Sequence, residues 1–317
     1  MNHPPMPADR KLSFSVVITN YNYGKFLPEA IDSALNQSLT PLEIIVVDDG
    51  STDDSCDVVA TRYGQHPLLK LVRQSNRGQL AAFQTGIASV RGDIVALLDA
   101  DDIWEPHYLE RVAEVYARAP SPDFVYTNMS FFGARSGTVL TDQRAGDLGL
   151  SVLLGAFNTI WQGAPTSGNS LRRELAVRLT RLPDTIIEAW RTRADDCIVC
   201  GADILGARKY HLPEALVRYR THEQNAWLGK KQDPVASLRH WMRVETMLEH
   251  YRQTIGANRR WLRFVKHEFR TKTAPGYREF GVYWDLVGMS DLSLIKRIEA
   301  RAAIFAHFIG FKYRKNR

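Results

Sequence analysis

The sequence predicts an α/β fold, an open, twisted and mostly parallel sheet flanked by helices, with a helical extension at its C-terminal end. Three observations carry that prediction. Short apolar runs alternate with helical patterns through the first half of the chain. Those runs are continuous rather than every-other-residue, as expected for strands buried on both faces of a parallel sheet. Polar and acidic residues collect just after them, and open α/β sheets bind ligands beyond the carboxyl ends of their strands.

Taken in order, residues 14–19 (FSVVIT) read as the first strand and residues 42–47 (LEIIVV) as the second. Residues 68–72 make a weaker third, 94–98 (IVALL) a fourth and 123–127 (DFVYT) a fifth. Helices are expected near residues 26–36, from Ser51, over residues 79–90 and over residues 106–117. Ser51-x-x-Asp54 supplies the capping signal for the second of these. Strand–helix alternation of this kind implies right-handed crossovers. From Gly133 to Pro165 the pattern weakens to loop and short helix. A helical pattern returns around Asp195, residues 210–220 (YHLPEALVRYR) look like a strand, and beyond Asn225 the chain is helical, aromatic and basic. The expected divisions are an unstructured segment over residues 1–12, a main domain over 13–228, and a basic helical region over 229–317.

The chain has 317 residues, of which 44% are hydrophobic and 24% charged, a balance that supports a sizeable core. The net charge of +6 is unevenly spread, with Lys312, Arg314, Lys315 and Arg317 at the very end. Such a patch suits an anionic membrane surface or a phosphate-bearing substrate; the alternative is a solvated face and a frayed tail. No nucleic-acid partner is expected. Three cysteines are too few for a disulfide framework. Cys197 and Cys200 form a C-x-x-C without a second pair, so they read as small buried side chains rather than a zinc site. The opening MNHPPMPADRK has no apolar core of a signal peptide, and no run has the length of a membrane span. The expectation is a cytoplasmic protein whose membrane contact, if any, is peripheral.

Three strand ends carry the chemistry. The first is Thr19-Asn20-Tyr21-Asn22, the second Asp48-Asp49-Gly50-Ser51, the fourth Asp99-Ala100-Asp101-Asp102. Carboxylates as close as those of the last group repel, and burial pushes them to protonate. A divalent cation reverses that balance: Mg²⁺ or Mn²⁺ takes one or two carboxylates and fills its remaining positions with water and substrate phosphate. Capping of the following helix would explain one aspartate and leave two without a reason.

Successive segments extend the pattern: TNYNYGKFLPEAIDSALNQ, EIIVVDDGSTDDS, SNRGQLAAFQTGI, GDIVALLDADDIWEPHYLE, SGNSLRREL and ADDCIVCGADILGARKYHLPEALVRYRTH. In order and spacing, over residues 13–225, they resemble the family 2 inverting glycosyltransferases of the GT-A fold. The resemblance implies a nucleotide-diphosphate sugar donor and leans to a UDP-linked one; the chemistry leaves other bases open, since the same aspartate could accept from their donors. It implies a saccharide or lipid-linked acceptor, in cell-surface polysaccharide or glycolipid assembly, and Mn²⁺ or Mg²⁺ as cofactor. It assigns Thr19, Tyr21 and Asp49 to the nucleotide, Asp101 to the metal, and Asp99 to the ribose or sugar or to the metal. Asp102 exchanges with either or caps the helix beginning near Trp104. Asp196 corresponds to the catalytic base, and Asp195 stands where the family usually has glutamate. His222 corresponds to a position that in some relatives reaches metal or diphosphate, and Arg77 to an approach to phosphate. One departure is clear: where many relatives have Ala-Arg-Asn, this chain has Ala82-Phe83-Gln84.

Two rival readings remain at this point. A phosphohydrolase of the haloacid dehalogenase type would use Asp99 as nucleophile, but its motif normally follows the first strand. A non-catalytic nucleotide-sugar-binding partner would have no reason to keep both acidic groups. Near the C-terminus, Leu294, Ile298, Ala302, Phe305 and Ile309 form a helical stripe with Lys296, Arg297 and Arg301 among them. Such a helix either packs on the main domain or lies on an anionic membrane.

Overall fold

The structure, a computed structural model, describes residues 11–118, 120–139, 145–158, 160–222 and 233–315. Most of the expected N-terminal segment, and the expected boundary near residue 228, lie outside the described residues. The first half alternates β1 (Phe14–Asn20), α1 (Leu27–Leu35), β2 (Glu43–Asp48), α2 (Ser55–Tyr63), β3 (Leu69–Arg73), α3 (Gln79–Ser89) and β4 (Ile94–Asp99). Then come β5 (Ile103–Trp104), α4 (Tyr108–Tyr116), β6 (Phe124–Gly133), β7 (Gly137–Val139), β8 (Gly146–Asp147) and α5 (Val152–Phe157). After these lie β9 (Asn169–Arg172), α6 (Arg173–Leu179), α7 (Asp184–Ile187), α8 (Asp195–Ile204) and β10 (Lys209–Thr221). The chain closes with α9 (Pro234–Ile255), α10 (Val265–Phe269), α11 (Tyr277–Met289) and α12 (Leu294–Lys315).

The strands form one sheet in the order β3-β2-β1-β4-β9-β6-β10-β5, with β7 on β6 and β8 on β10. β1, β2, β3 and β4 are mutually parallel, as the alternation requires. Their side chains split between two cores because successive residues point to opposite faces. Val17, Ile45, Val47, Val95 and Leu97 meet α3, α6 and α8 on one face. Val16, Ile18, Ile44, Val46, Ala96 and Leu98 meet α1 and α4 on the other. Helices on both faces are why these runs carry no polar alternation. The register sets Thr19 level with Asp99 and Asn20 level with Asp48, so the three polar strand ends share one edge.

Three expectations are corrected here. The second helix starts at Ser55, not Ser51. Ser51 instead accepts from the Asn22 N–H at 2.9 Å and the Asn20 amide at 3.1 Å, tying the ends of β1 and β2 together. The helix expected near Trp104 begins at Tyr108, because Ile103 and Trp104 are drawn into the sheet as β5 against β10. β9 has no counterpart among the expected strands: it runs antiparallel between β4 and β6, and all its residues but Leu171 are polar. Bonding on both sides holds so short a strand, with its Asn169 and Ser170 fully buried.

α9 is capped by the Asp233 side chain, which accepts from the Ala236 N–H, and it ends at Gly256 in the left-handed region. Its Val244, Met247, Leu248 and Tyr251 belong to the larger core. α10, α11 and α12 build a further core with Leu153 and Leu154 of α5. Buried Glu268 joins the two by accepting from the N–H groups of Leu153 and Leu154, at 2.7 and 3.2 Å, at the start of α5. α12 does pack, but on a stripe neighbouring the expected one. Ala300, Ile304 and Phe308 are buried, while Leu294 (74% exposed), Ile298 (61%) and Phe305 (52%) stand outside. Among the described residues, no helix is long and apolar enough to cross a membrane.

Candidate active site

The paired aspartates after β2 do different things. Asp48 is tied into the loops: it accepts from the Asn20 amide at 2.8 Å and the Ser51 N–H at 2.9 Å. Asp49 lines a cavity of about 860 Å³. Its oxygens accept from the Gln74 amide (2.7 Å), the Arg77 N–H (2.9 Å) and the Gly78 N–H (2.7 Å). A carboxylate offers about four lone-pair sites, so one remains for a ligand. Gly78 makes this turn possible: its φ is +96°, and a Cβ would lie 2.5 Å from the Arg191 Cα.

Asp99 accepts from the Gln79 amide at 3.0 Å and, more weakly, from the Thr19 hydroxyl at 3.5 Å. Asp101 faces His222, with Nε2 3.0 Å from its Oδ2. That imidazole is set between Phe26 and Tyr23, ring centroids 5.0 and 5.6 Å away. Asp102 is sealed from solvent and accepts from the Ser167 hydroxyl (2.6 Å) and the Arg220 N–H (2.9 Å). It therefore fastens β4 to β10 and the turn before β9, and does not cap a helix. Asp99, Asp101 and Asp102 each bring an oxygen within 4.8 Å of the others. Burial, then the charge of Asp101, pushes Asp99 up to about 8 and Asp102 well above the usual carboxylate range. Three hard oxygen donors whose charges repel fit a divalent cation of the Mg²⁺ or Mn²⁺ class. Asp99 and Asp101 line the open cavity, whereas Asp102 is sealed behind them, so the first two are the ones placed to meet a cation there.

Asp195 and Asp196 open α8. The preceding Arg193 has φ +61°, a costly conformation for a side chain of its size. Its guanidinium lies 2.9 Å from Asp196 Oδ2, and His240 Nε2 approaches the same oxygen at 3.7 Å. Burial, then the charge of Asp196, lifts Asp195 to about 7. Burial also raises Asp196, against the pull of Arg193. Gln79 links the two acidic groups: its amide nitrogen donates to Asp99 and its oxygen accepts from the Ala194 N–H at 3.1 Å.

Of the residues singled out from sequence, Thr19, Tyr21, Asp49, Asp99, Asp101, Asp195 and Asp196 all line this one cavity. Asp102 and His222 stand behind Asp101. Arg77 is turned away: its guanidinium pairs with Asp184 at 2.8 Å and Glu188 at 3.7 Å, and its side chain is not part of the wall. This corrects its expected approach to phosphate; the loop preceding α8 supplies Arg191 and Arg193 to the wall instead. At the departure from the family pattern, Ala82 faces the cavity and Phe83 is buried in the core. Sequence reasoning missed Gln79, Trp161, Arg193, His240 and Trp241, all in the wall. Gln79 lies inside the segment SNRGQLAAFQTGI, and the others sit in no local pattern that would mark them.

The sequence profile described as glycosyl transferase family 2 matches residues 15–175. A relative from Nostoc sp., named an uncharacterized glycosyltransferase, is 38% identical over 222 residues, 68% of this chain and 66% of its own length. Chondroitin synthase of Escherichia coli is 36% identical over 113 residues, which is 36% of this chain and 16% of that one. The chain thus spans just under two thirds of the first relative and a small part of the second. Among solved structures, Staphylococcus aureus TarS 1–349 in complex with UDP aligns with a TM-score of 0.55, over 96% of this chain and 92% of that chain, at 16% identity. That likeness is one of fold.

Proposed function

Because the chain belongs to glycosyl transferase family 2 and has the GT-A fold, we propose that it is an inverting, divalent-cation-dependent hexosyltransferase. Its donor is a nucleoside diphosphate sugar, UDP-linked, and its acceptor a hydroxyl in cell-surface polysaccharide or glycolipid assembly. The observation that carries this reading is the single cavity shared by Asp49, Asp99, Asp101 and Asp196. Asp49 offers its remaining lone pair to the base, Tyr21 its exposed ring, and Asp99 a carboxylate to ribose or sugar. Asp101 and Asp99 hold the cation, with His222 orienting Asp101. A bound cation supplies positive charge to the departing diphosphate.

Asp196 accepts the proton of the acceptor hydroxyl as the new bond forms at the anomeric carbon. The bond to the diphosphate breaks on the opposite face, and its electron pair leaves with the nucleoside diphosphate. Burial suits Asp196 to this work, because a base is most effective when its pKa nears the working pH. The phosphohydrolase reading of Asp99 does not fit the family. We take residues 13–228 as the transferase domain, with the helices after residue 228 as its basic appendage. Nucleotide release from a panel of UDP-, GDP- and dTDP-sugars, with and without Mn²⁺, tests the reading. Release is expected with Mn²⁺ and is lost in Asp101→Ala and in Asp196→Asn. Silence across the panel would point to a binding partner, and phosphate release from simple phosphomonoesters that survives Asp196→Asn to the hydrolase.

We also propose that the protein works on the cytoplasmic face of a membrane through α12. Its outward Leu294, Ile295, Ile298 and Phe305 sit beside exposed Lys296, an apolar stripe with a cationic flank. The intact chain should float with vesicles containing phosphatidylglycerol, and Ile295→Glu with Ile298→Glu should sediment. Equal flotation of both proteins counts against it.

A further inference from the structure

α9 lies beyond the residues matched by the family profile, yet one turn of it forms part of the cavity wall. His240, Trp241 and Val244 line the same space as Asp196. Val244, 5% exposed, anchors the turn in the larger core beside Met247 and Leu248. His240 packs edge-on against buried Trp190, centroids 5.9 Å apart, with Nε2 3.7 Å from Asp196 Oδ2. Burial, then Arg193 and Arg243, lowers the His240 pKa to about 4, so the ring is neutral at physiological pH; its Nδ1 accepts from the Arg243 guanidinium at 3.0 Å, which leaves Nε2–H as the donor. Trp241 is different: it lines the cavity but is 61% exposed. A large aromatic ring is ordinarily buried for its area. Held open on a helix anchored in the core by Val244, Met247 and Leu248, and 5.5 Å from the His240 ring, this one is placed as a platform at the cavity wall.

We infer that this turn of α9 is the acceptor subsite, with Trp241 carrying the apolar face of a pyranose ring and His240 bonding a hydroxyl beside Asp196. The chemistry favours a sugar. One face of a pyranose presents C–H groups with partial positive charge, which match the negative face of an indole, while its edge presents hydroxyls. A neutral imidazole next to a carboxylate serves that edge. The acceptor class is thus a pyranoside, whatever it is attached to. The inference rests on reading Asp196 as the base.

The test uses the full chain and methyl β-glucopyranoside, methyl β-galactopyranoside and methyl β-N-acetylglucosaminide as probes. Saturation-transfer NMR without donor should show contact to the ring protons of one face, falling by about fivefold in Trp241→Ala and largely kept in Trp241→Phe. In turnover, Trp241→Ala should raise the acceptor KM about tenfold and change kcat by less than about threefold. Met242→Ala, at a neighbouring exposed position off the cavity wall, should match wild type in both. Equal saturation transfer in wild type and Trp241→Ala, an unchanged acceptor KM, or no contact with any pyranoside would overturn the subsite. Contact that depends on Trp241 in a protein that turns over no nucleotide sugar would sink the transferase reading and leave the subsite standing.

Discussion

At the end of β4, three aspartates are gathered by a strand and the turn after it; at the start of α8, two are gathered by a helix. In both places neighbours in sequence carry like charge into a partly dry space, and burial drives pKa values up. The supports differ. In the strand-end group, Asp102 is answered by a hydroxyl and a backbone N–H, so its role is to hold β10 and the turn before β9 in place. In the helix-start group, both side chains face the cavity, and a guanidinium in a strained loop is the nearest counter-charge. The same division runs through Asp48 and Asp49 after β2. Identical residues one position apart become a fastener or a reactive group according to which distant donors reach them.

That contrast can be broken in order of expected effect. Asp196→Asn, which keeps shape and removes basicity, should lower kcat by about three orders of magnitude with little change in donor KM. A comparable loss with a raised donor KM would move Asp196 from proton transfer to binding. Next, Asp102→Ala strands the Ser167 hydroxyl and the Arg220 N–H. It should cost roughly 2–3 kcal/mol and lower the melting temperature by about 5 °C, whereas Asp101→Ala melts within about 2 °C of wild type. Equal melting temperatures for the two variants would erase the distinction between fastener and ligand.

The smallest effect is a matter of pH. Because the folded pKa of Asp195 is raised to about 7, the folded chain holds a proton that the unfolded chain has already released near pH 4. The associated stability is complete below that lower value and is lost as pH rises through about 7. Asp195→Asn, titrating nothing, should therefore match wild type near pH 4 and exceed it at pH 8, by on the order of 1–3 kcal/mol, in melts with EDTA. A difference that shrinks toward pH 8 would mean that Asp195 is stabilised as a carboxylate.

Much of this was legible without coordinates, and for physical reasons. β1, β2 and β4 read clearly because strands covered on both faces need unbroken apolar runs. Asp49, Asp99 and Asp101 read as site residues because they follow those runs. β9 was illegible because its backbone is paired by strands on either side and its buried Asn169 and Ser170 bond Ala164, Pro165 and Val125, a fact of neighbours and not of propensity. On α12, periodicity announced an amphipathic helix but not its buried stripe, since Leu294, Ile298 and Phe305 compete with Ala300, Ile304 and Phe308 a small rotation away. Arg193, His240 and Trp241 carry no local pattern at all.

By itself, the sequence determined most strands and helices of the first half, the polar strand ends, and the order of the motifs, because those follow from hydrophobic periodicity and local turn chemistry. The tertiary structure decided what each carboxylate does. Asp102 is silenced by Ser167 and Arg220, Asp99 is bridged through Gln79 to the loop before Asp195, and Asp196 meets an arginine and a histidine from different elements. Each of those partners but Arg193 comes from far along the chain, and hydrogen bonds and charges act through space, which no local stretch of sequence records.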